Sequence, residues 1–303
     1  MNIPSYGPDD KRKKIALVQT GSWGDNINST LMFKPLKAKY PDCVLDVYTS
    51  SYYKSAFVNN PYINHLAVHQ SSAKNESLHL TLLIPDMIKN VGYDLILKPH
   101  PMFNQDKWTS TIHGELGTNL ILAWVRALED NQIAYTLPLE TVLSLTNEEV
   151  EHARQVFKLA PARDRNILME VHGESGQTHW NNEWTVKVGK HLLNSDCNLF
   201  ISRNHDGHDI NELRSHAPFK VHFVGGLSIR ECAELYNHCQ VFMSVSSGLS
   251  NACNTNWCKK DIMWFETVNG PGANSAPIRS TGKTFYYEND IDKLIGILRN
   301  AGL

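Results

Sequence analysis

Short apolar runs alternate with longer amphipathic segments along the whole chain. A run of about five apolar residues between polar or glycine positions predicts a buried strand, and apolar residues three or four apart predict a helix. Pro35 falls inside the first predicted helix and is expected to kink or shorten it. In the first half, the pattern predicts strands at 15–19, 44–48, 64–68 and 93–97, and helices at 26–39, 51–58, 78–90 and 120–128.

The second half repeats this alternation after a polar linker at 161–165. The predicted strands are 166–171, 198–202, 221–224, 241–245 and 261–265, and the predicted helices are 146–158, 181–194, 209–215, 228–238, 248–256 and 290–300. Strands that alternate with helices form parallel sheets with right-handed crossovers. We therefore predict an α/β protein with two Rossmann-like parallel-sheet domains, 1–160 and 161–303, that face a cleft. The prediction leaves open that the last helix packs back on the first domain.

The composition is that of a globular protein. The 303 residues are 42% hydrophobic and 20% charged, with a formal net charge of −2. This balance argues against a general nucleic-acid or anionic-membrane binder, which usually has a basic surplus. No run reaches the ~18 apolar residues of a membrane helix, and the first ten residues lack the apolar region of a secretory signal. The six cysteines form no C-x-x-C pair and are expected to be reduced, so we predict a cytoplasmic protein.

The loop after the first strand is the first candidate site, because ligands of open α/β sheets bind beyond the carboxyl ends of the strands. Gly21 and Gly24 allow a tight turn there, and Asp25 lies where the next helix begins. Asp25 is either a helix cap or a general base that projects into the cleft. The glycines do not match G-x-G-x-x-G, which argues against a dinucleotide site.

Two further loops leave strands in the second half. Residues 244–251 combine small side chains with Gly248 at a helix start, which exposes main-chain N–H groups to an anion such as a diphosphate. The alternative is an ordinary serine cap. Residues 171–180 contain two histidines, a glutamate and two glycines. These residues gain little from burial, so we expect a functional loop.

Together with an Asn60-Pro61-Tyr62 turn, these loops resemble the bacterial heptosyltransferases and their relatives, which are glycosyltransferases of the GT-B fold. The resemblance covers most of the chain and depends on the order of several short motifs. These motifs are Gly24-Asp25, Tyr40-Pro41, Tyr93-Asp94, His172-Gly173, Thr178-His179-Trp180, Gly225-Gly226-Leu227-Ser228 and the element at 246–251.

The resemblance implies an inverting, metal-independent transferase without a cofactor, which moves a sugar from a nucleoside-diphosphate donor to a hydroxyl of a glycan or glycolipid. Asp25 would deprotonate the acceptor. The Ser247–Leu249 N–H groups would hold the diphosphate, the 225–226 turn would lie near the nucleoside, and residues 175 and 178 would face the phosphates. The donor-side residues are Ser175, Thr178, Gly225, Gly226, Ser246, Ser247, Gly248, Leu249 and Asn251. The acceptor-side candidates are Trp23, which could stack on a sugar, and His100, which follows a strand.

Three positions depart from the family pattern. Thr178 replaces a lysine, Ser246 an aspartate and Asn251 a histidine. The missing lysine removes a charge-assisted hydrogen bond to the leaving group, which contributes about 1.5–3 kcal/mol. The candidates to replace it are His172, His179, Arg203 and Arg230.

Other interpretations remain open at this point. The three substitutions favour a catalytically inactive nucleotide-sugar-binding protein, and an NAD(P)-dependent oxidoreductase is a further alternative. A transferase that acts on nucleic acid is not supported by the net charge. The His-Asp-Gly-His-Asp segment at 205–209 has the residue types of metal ligands, but its spacing fits no standard site and favours a polar loop.

Overall fold

The computed structural model describes residues 1–71, 77–99, 122–173, 180–202, 208–258, 261–267 and 283–303. These residues form two compact units, divided after Ser144 rather than at residue 160. The first unit contains strands β1 (Lys14–Val18), β2 (Val44–Ser50), β3 (His65–His69) and β4 (Leu95–Leu97). Its helices are α1 (Trp23–Ser29), α2 (Phe33–Lys39), α3 (Ser77–Ile88) and α4 (Leu122–Asp130), with 3₁₀ turns at Thr30–Met32 and Lys54–Ala56.

The first predicted helix is two helices in the structure. A 3₁₀ turn separates α1 from α2, and Pro35 lies in the first turn of α2. A proline is tolerated there because the first N–H groups of a helix have no intrahelical acceptor. The helix predicted at 51–58 is wrong, since the chain forms only turns and the short 3₁₀ segment there.

The second unit contains strands β5 (Arg165–Met169), β6 (Cys197–Ile201), β7 (Val221–Phe223), β8 (Val241–Val245), β9 (Ile262–Thr267) and β10 (Lys283–Tyr287). Its helices are α5 (Asn147–Lys158), α6 (Asn182–Leu193), α7 (His208–His216), α8 (Ile229–Tyr236), α9 (Gly248–Cys253) and α10 (Ile291–Asn300). The strand β10 was not predicted. The last helix contributes Leu294 and Leu298 to the core of this unit.

The helix α5 explains why the boundary falls before residue 160. It pairs with α8 through three acid–base contacts, Arg230 with Glu149, His152 with Glu231 and Arg154 with Glu234. Burial alone raises the pKa of Glu149, but the Arg230 guanidinium and the Thr146 N–H more than offset this, so its pKa lies below the ordinary value. These contacts join α5 to the second unit.

All pairings between the described strands are parallel, and the strand orders are β3-β2-β1-β4 and β10-β9-β8-β5-β6-β7. The second order is that of a Rossmann sheet, read from the opposite edge. In each sheet the strand order reverses at one point, which lies between β1 and β4 in the first sheet and between β5 and β8 in the second. The α/β class with two parallel sheets is therefore confirmed, and the cleft stays a prediction.

The strands β2, β6 and β8 are buried at every position, as strands covered on both faces of a sheet are. In β1, Ile15 and Leu17 belong to one apolar cluster, while Ala16 and Val18 belong to another on the opposite face. All six cysteines are buried and none forms a disulfide. Among the described helices, none combines the length and the apolar character that crossing a bilayer requires.

A buried acid lies within the first sheet. Asp46 on β2 is fully buried, and its Oδ2 accepts hydrogen bonds from the hydroxyls of Tyr6 and Tyr93, the latter at 2.5 Å. Tyr48 shares a hydrogen bond of 2.8 Å with Tyr93. Burial raises the pKa of Tyr48 to about 12. The N-terminal segment is therefore tied to the sheet through Tyr6.

Candidate functional site

The turn between β1 and α1 holds Asp25 in a capping box. Ser22 is the cap residue, and Asp25 Oδ2 accepts hydrogen bonds from the Ser22 N–H at 2.9 Å and from the Ser22 hydroxyl at 2.8 Å. An added Cβ at Gly21 would lie 2.7 Å from Asp25 Oδ2, so the close approach of this carboxylate requires glycine. Ser22 rather than Asp25 is therefore the cap residue, and Asp25 completes the box from the first turn of the helix. That Asp25 also acts as a general base stays a prediction.

The buried side-chain amides of Gln19 and Asn26 donate hydrogen bonds to main-chain carbonyl groups of the same turn. Asn26 Nδ2 donates to the carbonyls of Gly21 and Ser22 at 2.7 Å each, and Asn26 Oδ1 accepts from Thr49 Oγ1 at 2.7 Å. Gln19 Nε2 donates to the Asp25 carbonyl at 3.0 Å. Sequence reasoning missed this network. The signal was an asparagine and a threonine at positions where the helix and strand patterns call for apolar residues.

Trp23 does not fit its predicted role. Its side chain is buried, with 8% of the residue exposed, and the indole Nε1 donates to Ser55 Oγ at 3.0 Å. A ring packed in this way offers little surface for stacking on a sugar. Trp23 is a packing residue of the turn, which removes the support for its acceptor-side role.

In the second unit, the loops after β5 and β8 meet where the strand order reverses. An added Cβ at Gly173 would lie 3.1 Å from the Ser246 carbonyl oxygen and 3.2 Å from Val245 Cγ2. The structure thus brings the His172–Gly173 segment against residues 246–249, which we call the β8 corner. This reversal is where open α/β sheets bind ligands.

The β8 corner is itself a capping box. Ser247 Oγ accepts the N–H of Ser250 at 3.1 Å, and Ser250 Oγ accepts the N–H of Ser247 at 3.0 Å. Asn251 Nδ2 donates to the Ser247 carbonyl at 2.8 Å. Leu249 is buried in the unit. The serine-cap interpretation of this loop is therefore confirmed, and the box leaves the first N–H groups of α9, on Gly248 and Leu249, without an intrahelical acceptor.

Glu170 is a residue of this site that sequence reasoning missed. It follows β5, is 4% exposed, and its carboxylate accepts a short hydrogen bond from Ser247 Oγ. The signal in the sequence was a single acid inside an apolar run, Ile167 to Val171.

The Gly225-Gly226 turn lies elsewhere on the sheet edge. It follows β7, which is the outer strand and stands three strand spacings, about 14 Å, from β8. The ring of Phe223 folds over Gly225, where an added Cβ would overlap it, whereas Gly226 has open space around its Cα. The sheet therefore keeps this turn apart from the β8 corner. A nucleotide that contacts both the turn and the corner has to span the distance between β7 and β8.

Several predicted residues lie outside the described residues: His100, Ser175, Thr178, His179, Arg203 and residues 205–207. Arg230, a candidate to replace the missing lysine, is instead buried and paired with Glu149 at 2.6 Å and 2.8 Å. It serves the pairing of α5 with α8. Within the described part of the chain, no three His, Cys, Asp or Glu side chains are grouped to hold a metal.

Comparisons with known proteins bear on the fold of this chain. Neither a protein-family model nor a curated protein matches the sequence. Solved structures do match. The glycosyl transferase family 9 structure from Veillonella parvula DSM 2008 has a TM-score of 0.69 at 12% identity, over 95% of this chain and 89% of that one.

Two E. coli structures give the same result. ADP-heptose lps heptosyltransferase II has a TM-score of 0.66 at 14% identity, over 95% of this chain and 98% of that one. Heptosyltransferase WaaC with ADP has a TM-score of 0.57 at 11% identity, over 95% and 96%. The chain has the fold of these glycosyltransferases. The likeness confirms the fold that the sequence resemblance implied.

Proposed function

We propose that the protein is an inverting glycosyltransferase, which transfers a sugar from a nucleoside-diphosphate donor to a hydroxyl of a glycan or glycolipid. The observation that carries the proposal is the likeness of fold to the glycosyltransferase family 9 structure over 95% of the chain. The polar β8 corner at the strand-order reversal supports it, since ligands of such sheets bind there. We further propose that the protein is cytoplasmic, that the first unit binds the acceptor and that the second binds the donor.

In this mechanism Asp25 takes the proton of the acceptor hydroxyl, whose oxygen then attacks the anomeric carbon and displaces the nucleoside diphosphate. The two hydrogen bonds from Ser22 orient the carboxylate. The N–H groups of Gly248 and Leu249 bind the departing diphosphate and stabilise its charge.

A ligand screen by thermal unfolding tests the donor class. The probes are ADP, the nucleotide in the WaaC structure, then UDP and GDP, and the matching nucleotide sugars. A ligand at about 100 times its dissociation constant stabilises the folded protein by about 2.7 kcal/mol, which is a readily measured shift of the melting temperature. We expect one nucleoside diphosphate to give this shift and the matching monophosphate to give less. A screen in which no nucleotide shifts the melting temperature contradicts the proposal.

A catalytically inactive nucleotide-sugar-binding protein is the second candidate. It is favoured by the capping role of Asp25, which accounts for this acid without any chemistry. Both candidates predict binding in the screen. Transfer to, or hydrolysis of, the sugar of the bound donor separates them, because only the enzyme turns it over.

A further inference from the structure

Phe223 is an aromatic residue at the carboxyl end of β7 to which the resemblance gives no role. It is the last residue of the strand and pairs in register with Ile201 of β6, a fully buried residue of the core. Neighbours in register, and residues two apart on one strand, project from the same face of a sheet. On this face Val221 is 4% exposed, whereas Phe223 is 42% exposed. The Phe223 ring is therefore uncovered at the edge where ligands of open α/β sheets bind.

The main chain of the following turn fixes the position of this ring. A Cβ added at Gly225 would lie 2.1 Å from Phe223 Cζ, 2.7 Å from Cε2 and 2.8 Å from Cε1. These distances leave no room for a side chain at position 225 while the ring keeps its place. The glycine therefore allows the tip of the ring to lie directly against the main chain of the turn.

The two faces of the β6–β7 pair differ in how their rings are packed. On the opposite face, Phe200 and His222 stack on each other, with their ring centroids 5.1 Å apart. Among the described residues, Phe223 has no aromatic partner of this kind. Its ring is thus held in position and presents apolar surface to the solvent.

Exposure by itself does not mark a binding residue, because single exposed apolar side chains are common on protein surfaces. Phe219 is such a residue. It is 78% exposed and lies two residues before β7, at the amino end of the strand. Phe223 differs from it in two ways, since it lies at the carboxyl end of the strand and contacts a glycine of the turn that we expect near the nucleoside.

A flat group with a π face suits the exposed surface of this ring. Nucleobases stack on aromatic side chains, and such stacking adds affinity with little selection among bases, because every base has a π face. A nucleoside diphosphate carries its base and its phosphates on different sides of the ribose. One donor can therefore lie along the carboxyl edge of the second sheet, with its phosphates at the β8 corner and its base at the end of β7.

We propose that Phe223 stacks on the base of the donor nucleotide. This inference rests on the proposed function and adds to it a side chain that sets the affinity for the donor. Because Gly225 already allows one fixed position of the ring, little conformational freedom is lost when the base binds. Stacking does not read hydrogen-bonding groups, so Phe223 should strengthen the binding of purine and pyrimidine nucleotides.

The test is titration calorimetry of a nucleoside diphosphate into the full chain. The probe is ADP, or whichever of UDP and GDP gives a larger shift of the melting temperature. Phe223→Leu keeps an apolar side chain without a π face, and we expect it to bind the probe at least about tenfold more weakly, a difference of about 1.4 kcal/mol. Phe223→Tyr restores the aromatic face and should bind within about twofold of the wild type. The melting temperature without ligand verifies that each variant is folded.

The matched control is Phe219→Leu, which makes the same change at the amino end of β7 and should leave the affinity unchanged. Equal weakening in Phe219→Leu overturns the inference, and so does equal weakening in Phe223→Leu and Phe223→Tyr, because neither result depends on an aromatic face beside the base. A Phe223→Leu protein that binds the probe like the wild type also overturns it, and the proposed function then stands. This result includes a ring that contacts the donor sugar, which the probes lack. If the wild type binds none of ADP, UDP and GDP, the proposed function fails as well.

Discussion

At the end of β1 the acid beside the helix start belongs to the turn itself, whereas at the end of β8 it comes from the residue that follows the neighbouring strand, β5. Ser22 and Ser247 both cap a helix through a capping box. In the first turn Asp25 completes the capping box with its own carboxylate. In the second turn Ser250 completes the box, and the carboxylate that contacts the cap residue is that of Glu170. The first charge is encoded within a few residues of sequence. The second depends on which strands are neighbours, so no local motif contains it.

The largest expected effect separates chemistry from capping in the first turn. Asp25→Asn should lower turnover of the donor by about 10²–10⁴-fold, because positioned proton transfer contributes a factor of this size. Ser22→Ala is the control, since it removes a hydroxyl of the same capping box and leaves the carboxylate. Steady-state rates of both variants decide the matter. Equal losses in the two would mean that Asp25 acts only through the cap.

The next effect compares the two caps by stability. Ser247→Ala should lower the free energy of unfolding by about 3 kcal/mol, because it removes a cap and also a hydrogen-bond donor to the buried Glu170 carboxylate. Ser22→Ala should cost only about 1 kcal/mol, since Asp25 is half-buried and keeps the Ser22 N–H. Urea unfolding of both variants measures the difference. Equal costs would show that the Glu170 contact adds nothing.

The smallest effect concerns the glycine of the first turn. Gly21→Ala forces the Asp25 carboxylate away from a Cβ that would lie 2.7 Å from its Oδ2, and should cost about 1–2 kcal/mol. Gly226→Ala is the matched control, because its added Cβ meets no atom within 4 Å. That variant should lie within about 0.5 kcal/mol of the wild type. Thermal unfolding of the two proteins tests both values, and a Gly21→Ala protein as stable as the control would contradict the geometry.

The periodicity of the sequence was sufficient for most of the sheet. The strand at 241–245 was predicted with the bounds of β8, and the other predicted strands overlap observed ones. Buried parallel strands are continuous apolar runs between turn residues, which is a strong local signal. The strand β10, Lys283–Tyr287, was missed because its Lys-Thr-Phe-Tyr-Tyr sequence begins with polar residues at the edge of the sheet.

The candidate site was predicted less completely than the fold. The loops that carry Asp25 and Ser247 could be located, since their glycines and small residues follow strands directly. Glu170 could not, because its contact with Ser247 joins residues 77 positions apart and depends on strand order. The role of Trp23 was wrong for a similar reason: a tryptophan beside an acid looks the same in sequence whether its ring faces solvent or Ser55.

The attachment of Tyr6 to Asp46 decides how the N-terminus should be handled in the laboratory. The first ten residues contain no helix or strand, but they supply Tyr6. Its hydroxyl is one of two tyrosine hydroxyls that donate hydrogen bonds to the fully buried Asp46 carboxylate and offset the free-energy cost of its burial. Deleting these residues to obtain a shorter protein for crystallisation would remove Tyr6 and its hydrogen bond to Asp46. The loss would lower the stability of the sheet that carries the Asp25 turn. An affinity tag is therefore better joined ahead of Met1 through a linker that leaves Tyr6 in place.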